Sequence, residues 1–401
     1  MFVALGLGVP GHCAAVATAS SSEPGFGPAG AVDGDRVALG TGHVWKGAAG
    51  GRGWWQIDFG APRSIRSIRQ IVGDHDFVFT NAPLACVWQA SDDGVVWRDL
   101  PSTRAACERR IHRTHKLPQP ERMRFLRLQI EAVCGTVATL REVEFLEATT
   151  ESQEASPWIL VVNTTHERAL PGHGQEFIPL ARSRPGWELL GAQQVWVGDF
   201  DEAMVRAEPR PLAVFLSGNF KDWCEVDRAW WRGVEAVLKQ GTTPIWASCG
   251  GAQGLALLSE YGTARPWDCP HCRDPRHPKT PLYTHLGHTG SRPCGDYSAC
   301  VFERGVAAIR PLVADPVFAG LPPEFLSMES HCGQIAWAPR GWDLVATGGT
   351  GSPTRVQCLR LRGRPVYAAQ FHIEMAGLPG TAGVVMGNFL RLASEWQSRD
   401  R

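Results

Sequence analysis

Trp246-Ala-Ser-Cys249-Gly-Gly-Ala-Gln253-Gly254 decides how the larger part of this chain is read. Pro244-Ile-Trp-Ala247 is an apolar run of strand character, the paired glycines permit a sharp turn, and an apolar helical stretch follows. The order predicts strand, turn and helix, with Cys249 lifted out of the sheet beside the first free N–H groups of the helix. Reactive cysteines use such positions. Farther on, Gln370-Phe-His372-Ile-Glu374 ends another apolar run. Residues two apart on an extended chain share a face. Glu374 can therefore orient His372, and His372 can take the thiol proton of Cys249. A lone cysteine is usually a small buried hydrophobe, and the chain has twelve. Cys249 stands apart through its turn and its distant partners.

The segments around this turn alternate in period. Trp158-Ile-Leu-Val-Val162, Gln194-Val-Trp-Val197 and Ala213-Val-Phe-Leu216 read as strands covered on both faces. Val226, Trp230, Val234, Val237 and Leu238 recur at helical spacing up to Gly241, and a helix is expected over Thr381–Trp396. Alternating strands and helices predict an α/β unit over residues 157–401, with a mostly parallel sheet flanked by helices. Cys249 then lies at the carboxyl end of a strand, where open α/β sheets place ligands.

Cys249-x-Gly251-x-Gln253 with a later His372-x-Glu374 resembles the class I glutamine amidotransferase family. Leu216-Ser217-Gly218-Asn219 is similar to the family's oxyanion strand. Ser330-His331, followed by Trp342-Asp-Leu-Val-Ala, is similar to the segment flanking its substrate pocket. The resemblance runs from about residue 157 to 396 and keeps the family's order of motifs. Asn219 stands where the family usually has a second glycine, and Ile373 where it usually has proline; neither change removes a catalytic group. The resemblance implies a flavodoxin-like domain and a Cys249–His372–Glu374 triad. It also implies an oxyanion cradle from the Gly218 and Gly250 N–H groups, and a pocket shaped by Gln253, Ser330 and His331. The substrate class it implies is a small-molecule glutamine γ-amide or γ-glutamyl bond, cleaved through a thioester with no cofactor. There is no Gly-x4-Gly-Lys-Ser/Thr phosphate loop. An ammonia-consuming synthetase would therefore be a partner protein, unless the product is simply hydrolysed. The competing expectation is an inert amidotransferase-like scaffold in a glycan- or protein-binding protein.

Residues 1–147 read differently. Short alternating runs, Trp54–Phe59, Ile65–Ile71, Cys86–Trp88 and Arg124–Ile130, are separated by turn signals at Asp33-Gly34 and Ser91-Asp-Asp-Gly94. That pattern predicts an all-β sandwich or barrel. Ala31-Val-Asp33-Gly34, Trp54-Trp55-Gln-Ile-Asp58-Phe-Gly60, Arg124-Phe-Leu-Arg-Leu and Glu142-Val-Glu144-Phe together resemble the discoidin, or coagulation factor 5/8 type C, family. The resemblance implies a jelly-roll sandwich whose end loops bind sugars, and in several members a structural calcium ion. Asp33 with Glu142 or Glu144 could supply the calcium ligands. Trp54, Trp88 and Trp97 are expected in the core rather than on a sugar platform. A polar stretch, 148–156, is the predicted linker.

The segment 264–300 lacks clear helix or strand periodicity and carries Cys269-Pro-His271-Cys272, His277, His285, His288, Cys294 and Cys300. Cys-x2-Cys supplies half of a structural zinc site, so Cys269, Cys272, Cys294 and Cys300 are candidate zinc ligands, with His285 or His288 as substitutes. Forty basic and forty acidic residues cancel, which argues against general nucleic-acid or anionic-membrane binding. No apolar run has the length of a spanning helix. Phe2–Val9 is apolar but has no basic residue before it. A cytoplasmic protein is expected, or a secreted or periplasmic one if the start is a truncated signal peptide.

Overall fold

The computed structural model describes residues 15–76, 78–147, 157–166, 168, 170, 172–266, 281–287, 297, 298, 300–375 and 377–399. The predicted linker at 148–156 and the Phe2–Val9 run lie outside the described residues. The chain divides into two compact units, Met1–Ala155 and Ser156–Arg401.

The first unit holds β1 (Val16–Ala19), β2 (Trp45–Lys46), β3 (Gly53–Val72), β4 (Ala82–Ser91), β5 (Arg98–Asp99), β6 (His112–Cys134) and β7 (Thr139–Glu147). All their pairings are antiparallel. The expected strands at Trp54–Phe59 and Ile65–Ile71 are halves of one long strand, β3. Its ladder with β6 loses register between Asp58 and Arg63, across Gly60-Ala-Pro62. Before the break, β3 lies between β1 and the Phe125–Ile130 part of β6, which continues to β4 and β5. After it, β3 lies between β7 and the earlier half of β6, and β7 continues to β2. Two long strands thus take part in both layers of a jelly-roll-like sandwich. Trp45, Trp55, Trp88, Ile68, Leu128 and Leu140 fill the core, with Trp55 and Trp88 edge to face at 6.3 Å. Of the three tryptophans expected inside, only Trp88 is there. Trp54 points away from Trp55 because the period is two. Trp54 and Trp97, both half-buried, flank the Arg127 guanidinium at 4.6 and 3.8 Å from their ring centres.

The second unit contains, in chain order, β8 (Trp158–Asn163), α1 (Phe177–Arg182), β9 (Gly191–Trp196), α2 (Ala203–Arg206), β10 (Ala213–Leu216), α3 (Arg232–Gln240), β11 (Ile245–Ser248) and α4 (Gly250–Tyr261). There follow β12 (Tyr283–His285), β13 (Glu303–Pro311), β14 (Phe325–His331), β15 (Gly333–Ile335), β16 (Trp342–Gly348), β17 (Cys358–Leu361), β18 (Val366–Ala369) and α5 (Pro379–Arg399). Nine strands form one sheet in the order β14-β13-β16-β17-β18-β11-β10-β8-β9, and β12 pairs with β15 apart from it. From β9 to β18 the pairings are parallel. From β18 to β14 they are antiparallel. The sheet is therefore mixed rather than mostly parallel. Between β13 and β18 no α-helix intervenes among the described residues, and the pairings among these strands are antiparallel. Numbered among themselves, the five parallel strands lie in the order 2-1-3-4-5. Four of them, β8, β10, β11 and β18, are buried along their whole length.

α3 ends at Gly241 as the sequence predicts, in the left-handed region at φ 86°. Its start is later than expected: the Asp227 carboxylate accepts from the Ala229 N–H and holds Arg228–Trp231 in a tighter turn. No helix of the described residues is long and apolar enough to cross a membrane.

Candidate active site

Cys249 sits between the end of β11 and the first residue of α4, with φ 48° and ψ −112°. A non-glycine residue rarely adopts this backbone. It is held there because the Cys249 N–H donates to Ala369 O on β18 at 2.7 Å and the Gly251 N–H to Ser217 O at 2.9 Å. The turn works only with small neighbours. A Cβ on Gly250 would lie 2.3 Å from Asn219 N, and one on Gly251 2.7 Å from Ser217 O. Gly250→Ala is therefore expected to push the Ser217–Asn219 loop away, costing about 1–3 kcal/mol and lowering the melting temperature. Gly380→Ala in α5, where a new Cβ meets nothing within 4 Å, is the matched control. Equal melting temperatures for the two variants would contradict this packing.

His372 lies past the end of β18, and its N–H donates to Met328 O on β14 at 2.8 Å. Its Nδ1 is 2.6 Å from Glu374 Oε1. The other Glu374 oxygen accepts from Ser248 Oγ at 2.9 Å, and that hydroxyl accepts from Trp246 Nε1 at 3.2 Å. Cys249, His372 and Glu374 are all buried. Burial alone would lower the basicity of His372, but the Glu374 carboxylate and the Cys249 sulfur outweigh it and hold the imidazole well above its usual range. Burial would raise Glu374, yet His372 and Ser248 bring it below the usual carboxylate value. His372 Nε2 is buried without a conventional hydrogen-bond partner, although the Cys249 sulfur is near enough to perturb it.

Gly218 closes the group. A Cβ there would lie 3.4 Å from His372 Cε1, 3.5 Å from His173 Nε2 and 3.8 Å from Cys249 Cβ. Its loop is pinned by Thr164, whose hydroxyl donates toward Ser217 O at 2.7 Å and Gly218 O at 2.9 Å. No hydrogen bond is formed by the Gly218 or Gly250 N–H among the described residues.

The remaining expected pocket residues are placed differently. Gln253 is buried and already engaged. Its Nε2 lies 2.8 Å from Gly333 O and 3.2 Å from Gln370 Oε1, and its oxygen accepts from Trp223 Nε1. It clamps α4 to its surroundings. Ser330 is exposed, because alternation along β14 turns it away from Glu329 and His331. His331 is buried, with Nδ1 on Gly333 O at 3.0 Å and Nε2 3.1 Å from Glu329 and 3.3 Å from Glu303. Burial opposes its charge, but the two carboxylates push its basicity up to about 10. Sequence reading missed His173, Ser248, Thr164, Glu303 and Glu329. Only Ser248 and Thr164 carried a signal: each is a hydroxyl at or just past the end of an apolar strand.

Cys269, Cys272, Cys294, His271, His277 and His288 lie outside the described residues. Cys300 is not in a disulfide and lies close enough to Cys332 to help burial raise the Cys332 thiol to about 12. His285 Nε2 meets Asp222 Oδ1 at 2.8 Å. Cys224 is disulfide-bonded, a cross-link that no spacing in the sequence signals. In the first unit, Asp33 binds the Asp35 N–H and His43 Nδ1, each at 2.8 Å, and Glu142 accepts from the Gly34 N–H at 3.0 Å.

Comparison with known proteins bears on both units. The family model for the F5/8 type C domain matches residues 16–143. No curated protein matches the chain. Among solved structures, a GMP synthase subunit protein from Thermoplasma acidophilum aligns at 20% identity over 62% of this chain and 99% of that one, with a TM-score of 0.44. The family 32 carbohydrate-binding module of Clostridium perfringens NanJ, solved with galactose, aligns at 17% identity over 33% of this chain and 92% of that one, TM-score 0.28. Chitosan-binding module 1 from a Paenibacillus chitosanase/glucanase aligns at 18% over 33% and 93%, also with a TM-score of 0.28. Residues 16–143 are thus an F5/8 type C domain, joined to a second unit with a mixed β-sheet.

Proposed function

We propose that the second unit is a glutamine amidotransferase-like cysteine hydrolase acting on a glutamine γ-amide or γ-glutamyl bond. The observation that carries the reading is the backbone of Cys249. Strained φ/ψ values persist where the surroundings enforce them, and they concentrate at functional sites. Here the strained residue is a cysteine whose neighbours include a histidine already oriented by a carboxylate. The strand order 2-1-3-4-5 is that of flavodoxin-like sheets, which supports the same reading.

In the proposed reaction His372 takes the Cys249 proton as sulfur attacks the γ-carbonyl carbon. The carbonyl π electrons move onto oxygen, which is met by the Gly218 and Gly250 N–H groups. Collapse of the tetrahedral adduct breaks the C–N bond, and His372 returns its proton to the departing amine. Water, deprotonated by His372, then cleaves the thioester and restores the thiol. Glu374 holds the imidazole in one tautomer and stabilises its charged form. Released ammonia passes to an acceptor on a partner synthetase or leaves as product. The F5/8 type C unit would tether this chemistry to a carbohydrate-bearing surface.

A glutamine-mimicking diazoketone tests the assignment through intact mass and peptide mapping. The expected result is one adduct, on Cys249, suppressed by excess glutamine. Alkylation of Cys249 by iodoacetamide without diazoketone labelling would overturn the glutamyl specificity. Failure of both reagents would overturn the nucleophile.

A further inference from the structure

We propose that Glu303, Glu329 and His331 form a binding site for one divalent transition-metal ion of the zinc or cobalt class. The inference rests on the geometry of this cluster and is independent of the triad's role. Glu303 lies directly opposite His331 in the β13–β14 ladder. Glu329, two residues before His331, shares its face. All three are buried, and one ligand atom from each lies within 4.8 Å of the others. His331 Nε2 stands 3.1 Å from Glu329 Oε2 and 3.3 Å from Glu303 Oε2. Nitrogen and oxygen ligands sit at about 2.0–2.2 Å from zinc in a near-tetrahedral arrangement, which separates them by roughly 3–3.5 Å. The two spacings from His331 Nε2 fall in that interval.

The hydrogen bonding points the same way. Gly333 O can only accept, so His331 Nδ1 carries a proton toward it at 3.0 Å. Nε2 therefore faces the carboxylates. Metal-bound histidines are commonly fixed in this way by a backbone carbonyl on the other nitrogen. Despite the short separations, His331 Nε2, Glu329 Oε1 and Oε2, and Glu303 Oε1 form no well-aligned hydrogen bond. Glu329 is 0% exposed, and a buried carboxylate without hydrogen bonds is costly. A cation bound by His331 Nε2, Glu329 Oε2 and Glu303 Oε2 would neutralise both carboxylates and give the imidazole nitrogen a partner. Thr354 Oγ1 donates to Glu303 Oε2 at 2.5 Å and orients the second carboxylate from behind. The competing solution is a second proton on His331, shared between the two acids.

The test uses the full chain, freed of metal by a chelator and titrated with Co2+. The expected result is one Co2+ bound at this cluster, with visible d–d bands and no sulfur-to-cobalt charge-transfer absorption. It should persist in a C269S/C272S variant and weaken at least ~100-fold in Glu329→Gln. Unchanged Co2+ affinity in folded Glu329→Gln would overturn the proposal and leave the proton in place. Should that variant not fold, zinc K-edge spectroscopy of the wild-type chain loaded with zinc decides. One imidazole with oxygen neighbours supports the site. Sulfur-only coordination, or no retained zinc, overturns it.

Discussion

Replacing Cys249 with alanine is expected to reduce kcat for glutamine γ-amide hydrolysis by at least ~10^4-fold while the fold is kept. The chemical and the structural effects of this change are separable. Chemically, the alanine methyl cannot replace the sulfur as nucleophile. Without it His372 has only water to activate, and no thioester forms. Structurally, Cys249 contributes little to packing beyond a small side chain, and the backbone bonds that hold the turn, from Cys249 N–H to Ala369 O and from Gly251 N–H to Ser217 O, do not involve sulfur. Cys249→Gly separates the two effects further. It is equally inactive, yet it relieves a backbone held at φ 48°. Such strain is worth about 1–3 kcal/mol, so its melting temperature should rise above that of Cys249→Ala. Glu374→Gln should keep the volume but lose the charge that stabilises His372, at a cost of ~10^2–10^4 in kcat. Ammonia release and thermal melting measure all three. Alanine-variant activity near wild type would remove Cys249 from the mechanism. A glycine variant no more stable than alanine would remove the strain argument.

Much of this site was legible because its chemistry lies in short local patterns. The strand–turn–helix around Cys249 follows from an apolar run, two glycines and a helical stretch. Their spacing pairs His372 with Glu374, and a 2.6 Å contact joins the two side chains. Residues whose role depends on register between distant strands were not legible. Glu303 matters because it falls opposite His331, 28 positions away in the chain, and no local pattern encodes that alignment. Gln253 shows the reverse limit. Its position in a motif implied a pocket, but a buried amide surrounded by Trp223, Gly333 and Gln370 is satisfied by the protein itself.

The same division governs the sheets. All-apolar strands such as Trp158–Val162 were recognisable as buried, whereas the antiparallel half of the large sheet was not. β14 alternates buried with less buried positions, and alternation does not say which neighbour a strand takes. In the first unit, Trp54–Phe59 and Ile65–Ile71 read as two separate runs. They are instead one continuous strand with a break in register across Gly60-Ala-Pro62, because β6 follows it on both sides.

The stability of the F5/8 type C unit is expected to fall as pH rises from about 5 to 9, owing to Glu142. Burial is the main cause of its raised pKa, from 4.5 to about 8. The Gly34 N–H opposes the rise, and the nearby Glu144 and Asp33 carboxylates reinforce it. In the unfolded chain this carboxyl ionises near 4.5, whereas in the folded unit it keeps its proton to about 8. A group whose folded value is raised stabilises fully below its unfolded value and loses that contribution as pH climbs through the folded one. The difference is worth on the order of 4–5 kcal/mol, a large share of a small domain's stability. Hydrogen exchange of the Thr139–Glu147 amides in the full chain, corrected for the intrinsic pH dependence, reads it directly. Wild-type protection should decline across this range. Glu142→Gln, which keeps an acceptor for the Gly34 N–H but cannot ionise, should be nearly flat. Calcium provides a second lever: a divalent ion held by Glu142 and Asp33 would neutralise the carboxylate and restore protection at pH 9 in the wild type but not in Glu142→Gln. A wild-type profile as flat as the variant's would refute the buried-acid account. A pH-dependent wild type indifferent to calcium would keep the acid and exclude the ion.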